Sequence, residues 1–124
     1  MSHTATDSEE RRGRERHQAY FPAYMTVEQN LRSALVKDLS AQGAMLLTRA
    51  HPVEGSEVQL QLHIAPESEP TKVKARVLRV ERWGNGKGWW PYSVAVRFDK
   101  ALNKQERAVA TLSKRQREIG VLPK

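Results

Sequence analysis

The sequence predicts a mainly β protein: a six-stranded antiparallel β-barrel, preceded by a flexible N-terminal arm and followed by a C-terminal α-helix. Short apolar runs separated by brief turns fill residues 20–98, and in the clearest run, residues 58–64, apolar and polar side chains alternate. Helix-forming residues are concentrated after the last run, at residues 104–118. Residues 1–19 show no apolar periodicity, so we expect them to be flexible without a ligand.

One domain accounts for the whole chain. Its 124 residues allow a modest core but leave no room for a second one. We therefore divide the sequence into a flexible arm at residues 1–19, a barrel at residues 20–99, and a C-terminal helix and tail at residues 100–124.

The strands are recognised by alternation and by the turns between them. Pro22 lies inside the first strand and has no N–H to donate, which implies an edge or bulge position. In the fifth strand, Leu78 and Val80 shift the phase set by the preceding apolar residues, which indicates a bulge or a bend. The six strands are expected at residues 20–27, 31–39, 44–48, 58–64, 73–80 and 92–98.

The predicted helix has Asn103 as its N-cap and spans residues 104–118. Val109, Leu112 and Ile119 lie near one face of it. Because this apolar stripe is narrow, we expect the helix to cover the mouth of the barrel and not to build a core of its own.

A glycine-rich hairpin loop is expected at residues 83–90, with Trp83, Trp89 and Trp90 in it and Tyr92 just after it. Such side chains can form a platform on which nucleic-acid bases stack. Aromatic residues in a hairpin more often close one end of a barrel, and we expect that structural role here.

Composition narrows the range of partners and compartments. The net charge of +7 raises nucleic acid or an anionic membrane surface as partners, but the arm balances four arginines with four acidic residues. The absence of cysteine excludes disulfides and thiolate metal sites. No apolar stretch approaches the roughly 20 residues that cross a bilayer, and no secretory signal is recognisable. We therefore expect a soluble cytoplasmic protein and consider nucleic acid the less favoured partner.

No group of residues predicts catalysis, and we expect the protein not to be an enzyme. The histidines show no metal-ligand spacing, and no serine lies in a nucleophile elbow. We accordingly expect neither a metal nor a cofactor. The four histidines are His3, His17, His51 and His63.

Two short motifs carry the functional prediction, and the first is the RxxxR pair of Arg12 and Arg16, directly preceded by Arg11. A guanidinium group is a planar fork of donors that stays charged and matches phosphate oxygens two at a time. The same fork fits the O6/N7 edge of guanine, and its flat face stacks on a purine. Taken alone, these arginines are typical of a solvated arm.

The second motif is DxSxxG, formed by Asp38, Ser40 and Gly43 between two apolar runs. Asp38 can accept hydrogen bonds from the N–H groups of guanine, and Ser40 can donate to a phosphate oxygen. Gly43 permits a positive φ or a close approach of a ligand to the backbone. Alone, this motif is typical of a turn that bonds its own backbone. Together, the two motifs predict a site for a compact ligand bearing phosphates and guanine edges.

These motifs resemble those of the PilZ domain family, a bacterial receptor module for cyclic di-GMP. That family places RxxxR just before its first strand and D/NxSxxG after its second, which is where both motifs stand here. Residues 94–98 are similar to the family's late strand, although Ala95 occupies a position where glycine is common. The resemblance extends from Arg11 to the C-terminal helix.

The resemblance implies a cyclic di-GMP receptor or adaptor that signals by ordering its arm to contact an unidentified downstream protein. Arg11 stands where the family's residue influences whether one nucleotide or a stacked pair binds, and an arginine there is compatible with the pair; simple solvation of Arg11 is the alternative. The ligand-binding residues implied are Arg11, Arg12, Arg16, Asp38, Ser40 and Gly43.

Two other functions stay open at this point. A small barrel with a positive charge and a tryptophan hairpin can bind single-stranded nucleic acid. The same fold can also serve as a structural adaptor without a ligand, although nothing in the fold alone requires both motifs.

Overall fold

The computed structural model describes residues 15–123, so Arg11 and Arg12 lie outside the described residues. Six antiparallel strands form a closed barrel in the order β1-β2-β3-β6-β5-β4, and one helix follows the last strand. The predicted fold class is confirmed. The elements are β1 (His17–Val27), β2 (Asn30–Leu39), β3 (Gly43–Thr48), β4 (Glu57–Leu62), β5 (Thr71–Arg82), β6 (Tyr92–Phe98) and α1 (Asn103–Glu118).

The barrel closes through the two edges of β1. On one edge, β1 and β2 form a two-residue hairpin with φ of 49° at Glu28 and 71° at Gln29. Two consecutive residues with positive φ are the geometry of a type I′ turn, which matches the twist of paired strands. On the other edge, Ala23 pairs with Leu62 as part of the β1–β4 ladder, and this ladder completes the barrel.

Alternate side chains of the strands fill the barrel. In β4, Val58, Leu60 and Leu62 are almost completely buried, as their alternation predicts. The helix contributes Val109, which is fully buried and belongs to the same apolar cluster as the strand residues. No helix among the described residues is long and apolar enough to cross a membrane.

Every element except β6 starts one to three residues earlier than predicted, and the shifts at β1 and α1 have a cause in the packing. β1 begins at His17, three residues before the predicted start, because Ala19 is fully buried and joins the core. Residues 17–19, which were assigned to the flexible arm, therefore lie in a strand. The helix includes Asn103, and Leu102 takes the N-cap position without any side-chain capping bond. Leu102 is buried and its C=O accepts the Glu106 N–H, so burial of this leucine and not a polar cap sets the helix start.

Candidate functional site

Arg16 and Asp38, one residue from each motif, form an ion pair across the β1–β2 ladder. Arg16 Nη1 lies 2.7 Å from Asp38 Oδ1, although 22 residues separate them in sequence. The register that pairs Gln18 with Asp38 brings the end of the arm to this carboxylate. The Arg16 side chain is 49% exposed and the Asp38 side chain 16% exposed, so the guanidinium remains accessible to a ligand.

Ser40 uses its hydroxyl to hold the turn between β2 and β3. Its side-chain oxygen accepts the N–H groups of Gln42 and Gly43, at 3.3 and 3.2 Å, and its own N–H donates to the Gly43 C=O at 2.8 Å. Ser40 is 3% exposed. The self-bonded turn that is typical of this motif is therefore present, and it gives the segment one defined shape.

Gly43 is required by the close approach of a neighbouring strand. It pairs with Arg97 of β6, and a Cβ placed on Gly43 would lie 2.3 Å from the Val96 C=O oxygen. Its φ is not in the left-handed region. The close approach at this glycine is therefore made by the backbone of β6 and not by a ligand, and a positive φ does not explain it either.

A cavity of 260 Å³ joins the motifs to β5 and β6. Asp38 does not line the cavity itself but borders it through its ion pair with Arg16. Arg16 and Arg97 are the two cations of the lining, and no carboxylate within residues 15–123 lies within 4.0 Å of the Arg97 side-chain nitrogens. The cavity is therefore electropositive and suited to an anion. Its lining residues are Arg16, Ser40, Gln42, Gly43, Leu78, Val96 and Arg97.

Irregular strand pairing shapes the surface around this cavity. The β1–β2 ladder shifts register after Gln18, the β2–β3 ladder shifts at Lys37, and the β5–β6 ladder shifts at Leu78. A bulge bends its strand and redirects side chains. The predicted irregularity at Leu78 is confirmed, and it leaves this side chain 53% exposed on the rim of the cavity.

The sequence profile of the PilZ domain family matches residues 10–115. The chain belongs to the PilZ domain family. This confirms the family prediction that rested on RxxxR and DxSxxG.

Solved structures show the same fold as this PilZ domain. The PilZ domain of YcgR from Escherichia coli, determined with cyclic di-GMP, superposes with a TM-score of 0.70 and 16% identity, covering 86% of this chain and 95% of that one. The Bacillus subtilis inhibitor of motility MotI/DgrA gives 0.61 and 14%, covering 84% of this chain and 50% of that one. The PilZ domain of CeSA from a cellulose-synthesizing bacterium gives 0.51 and 20%, covering 81% and 95%. A search of curated proteins found no match.

Among the predicted site residues, the structure brings Arg16, Asp38, Ser40 and Gly43 of the PilZ domain together. Arg97, which sequence reasoning missed, joins them. Arg97 lies opposite Gly43 on β6, and its side chain is exposed. Knowledge of the β3–β6 pairing would therefore have placed this cation next to the DxSxxG motif. The other lining residues that were missed are Gln42, Leu78 and Val96.

The tryptophan hairpin does not close the barrel, and this expectation was wrong. Trp83 is 41% exposed and Trp89 is 75% exposed. No residue of β5 after Leu78 is buried, so the hairpin leads away from the core. The Lys37 ammonium nitrogen lies 4.0 Å from the centre of a Trp83 ring, a cation–π contact that holds Trp83 beside the β2 bulge.

One group of three potential metal ligands occurs within residues 15–123. Glu15, His17 and Glu106 each offer one ligand atom, and these atoms lie within 4.8 Å of one another. His17 Nε2 is 3.3 Å from Glu106 Oε1, and the two residues are 89 positions apart. Spacing in the sequence could not reveal this contact, which ties the start of β1 to α1.

Proposed function

We propose that this PilZ domain is a receptor for cyclic di-GMP that passes nucleotide binding on to a protein partner. The observation that carries the proposal is the electropositive cavity in which Arg16, paired with Asp38, meets Arg97 beside the close β3–β6 approach at Gly43. The PilZ domain of YcgR was determined with cyclic di-GMP, and that likeness supports the same ligand here.

Each residue has a distinct role in this proposal. Arg12 and Arg16 clamp the phosphates and the O6/N7 edges of guanine. Asp38 accepts the guanine N1–H and N2–H₂ groups, while the Ser40 turn and Gly43 form the floor of the site. Arg97 supplies a further positive charge from β6.

In the absence of a ligand, Arg16 and Asp38 are paired with each other, and the ligand can replace this ion pair with its own contacts. A half-exposed pair of this kind contributes about 0.2–1 kcal/mol to stability. A nucleotide offers phosphate oxygens to Arg16 and N–H donors to Asp38, so both charges regain partners when the pair opens. The ligand therefore replaces the ion pair at little energetic cost.

Binding is proposed to order the arm against the barrel. The nucleotide carries negative charge that the arm's arginines neutralise, and a ligand shifts a conformational equilibrium only through differential contacts of this kind. The ordered arm and the nucleotide then present a composite surface to a protein partner, which is an order–disorder switch.

Calorimetric titration tests the proposal. Cyclic di-GMP should bind to the wild type, and GMP and GTP should bind far more weakly. Arg12→Ala and Arg16→Ala should each reduce the binding free energy by on the order of 2–4 kcal/mol, because a desolvated ligand group loses its partner. Asp38→Ala should weaken binding without unfolding the protein.

Arg32→Ala is the matched control, because Arg32 is exposed on the same strand as Asp38 but pairs with Met25 near the hairpin end. It should leave the affinity unchanged. Equal affinity of wild type, Arg16→Ala and Asp38→Ala would rule out this site, and no binding by the wild type would favour the ligand-free adaptor.

The exposed tryptophans favour a second candidate function, the binding of single-stranded nucleic acid. Trp83 and Trp89 present rings on which bases can stack, and Lys37 places a positive charge beside Trp83. This function predicts binding of a fluorescent oligothymidylate that falls steeply with salt and is lost in Trp89→Ala. Oligonucleotide binding that is absent at low salt would eliminate it.

A further inference from the structure

We propose that Gln116 of α1 is a positioning residue for the nucleotide site, because its side chain holds the arm root, which we define as residues 17–21 at the start of β1. This inference rests on the proposed function. Gln116 lies in the last turn of the helix and is only 9% exposed. Its Oε1 accepts the Tyr20 N–H at 2.8 Å, and its Nε2 donates to the Tyr20 C=O at 2.7 Å. One side-chain amide therefore satisfies both backbone groups of a residue 96 positions away.

Gln116 stands where the β4 ladder ends. Along that edge of β1, Tyr24 pairs with Gln61, and the Pro22 C=O accepts the His63 N–H at 3.0 Å. Backbone groups of alternate residues point to the same edge of a strand. Tyr20 is the next residue in this series, beyond the last pairing with β4, so the amide of Gln116 supplies one more rung of the ladder.

The same residue lies in the irregular part of the β1–β2 ladder. Register shifts between Gln18 and Phe21, so Tyr20 belongs to the extra length of β1 at this point. A bulged segment lacks the regular hydrogen bonds that would define its position. Here the position of Tyr20 is defined by the two hydrogen bonds from Gln116, which reach β1 on the edge away from β2, and by the burial of Ala19.

This fixed segment is the direct continuation of the RxxxR motif. Arg16 precedes Tyr20 by four residues, and His17 makes a second contact with the helix through Glu106. The helix is thus joined to the first residues of β1 at two points, His17 and Tyr20. The placement of Arg16 over Asp38 and the cavity depends on this junction, so docking of α1 and nucleotide binding are thermodynamically coupled. Such coupling is reciprocal: the nucleotide stabilises the docked helix to the extent that the docked helix favours the nucleotide.

Gln116→Met tests the assignment, because methionine has a similar length but an unbranched thioether that cannot replace either bond. The affinity for cyclic di-GMP should fall about fivefold to thirtyfold, the loss expected for one or two net hydrogen bonds. Amide hydrogen exchange of residues 17–21 should become faster in the free variant. In the wild type, nucleotide should slow exchange along residues 107–118, and this protection should be smaller in the variant.

Val109→Ala is the matched control, since it loosens a fully buried contact of the same helix and leaves both hydrogen-bonding groups of Gln116 in place. It should lower the melting temperature and change the affinity by less than Gln116→Met does. A Gln116→Met protein that melts earlier but binds cyclic di-GMP like the wild type would show a purely structural role and overturn the inference. An equal loss of affinity in Val109→Ala would overturn it too, because general loosening would then explain both variants.

The experiments distinguish a failure of the proposed function from a failure of the inference about Gln116. If the wild type binds no cyclic di-GMP, the role of Gln116 in affinity falls with it. Exchange of residues 17–21 in the free proteins still separates the two parts: faster exchange in Gln116→Met supports the hold on the arm root, and unchanged exchange refutes that as well.

Discussion

Replacing Gly43 with alanine should destabilise the barrel at the proposed nucleotide site. The added Cβ would lie 2.3 Å from the Val96 C=O oxygen and 3.5 Å from the Arg97 Cα, and both atoms belong to the backbone of β6. No side chain can rotate away to relieve the contact. Because the φ of Gly43 is accessible to alanine, the effect comes from crowding between strands and not from backbone strain.

The size of the effect follows from the separation that the strands need. Cβ contacts below 3.0 Å essentially do not occur, so β3 and β6 must move apart by at least 0.7 Å at this rung. The neighbouring Phe98 N–H to Gln42 C=O bond, now 2.8 Å long, would then approach the limit of a hydrogen bond. Overpacking costs about 1–3 kcal/mol and a lost backbone bond about 1 kcal/mol. Because the bond is stretched and not fully broken, we expect a loss in the lower part of the summed range, about 2–3 kcal/mol.

Chemical denaturation and calorimetry measure this loss. For a domain of this size, the melting temperature should fall by roughly 8–12 °C, and cyclic di-GMP should bind at least tenfold more weakly because Arg97 moves with β6. Gly88→Ala is the control, since Gly88 has no positive φ and an added Cβ there meets nothing within 4 Å. It should change stability by less than about 0.5 kcal/mol. A Gly43→Ala protein as stable as Gly88→Ala would refute the crowding argument.

Three further predictions concern the ligand. Arg97→Ala should weaken cyclic di-GMP binding and reduce the salt dependence of that binding. Its melting temperature should stay within a few degrees of the wild-type value, because the Arg97 side chain is exposed and unpaired among the described residues. Unchanged affinity would remove Arg97 from the site. Arg11→Ala should lower the stoichiometry from two nucleotides per protomer to one if Arg11 stacks on an exposed guanine, and a titration that gives one nucleotide for both proteins would favour a solvated Arg11. Hydrogen exchange of residues 10–16 should slow on nucleotide binding, and equal exchange with and without bound nucleotide would leave a passive binding site without a switch.

Patterns within single strands were sufficient to predict the barrel. Alternation in residues 58–64 placed Val58, Leu60 and Leu62 inside, because a strand with one buried face has to alternate. The phase shift at Leu78 predicted the bulge for the same reason, since an extra residue reverses the face of every side chain after it. Alternation could not place Trp83 and Trp89, because it does not show how far a hairpin extends beyond the core.

The elements at both ends of the barrel were predicted less well because their boundaries depend on distant contacts. Asn103 is a good N-cap residue by type, yet burial of Leu102 moved the cap by one residue. The sequence predicts that the arm ends at residue 19, but Ala19 is buried in the core and Tyr20 is hydrogen-bonded to the helix. Local sequence patterns do not reveal such contacts, because the residues that make them are far apart in the sequence.

The sequence alone was enough to predict the fold class, the family and the residue types of the candidate site. It was enough because strand alternation and the RxxxR and DxSxxG motifs are local patterns, each readable within a few residues. The folded structure was needed to show that Arg16 pairs with Asp38, that Arg97 lies opposite a glycine with no room for a side chain, and that Gln116 hydrogen-bonds to Tyr20. These contacts join residues 22 to 96 positions apart, and their geometry is set by strand register, bulges and helix docking, which depend on the packing of the whole barrel.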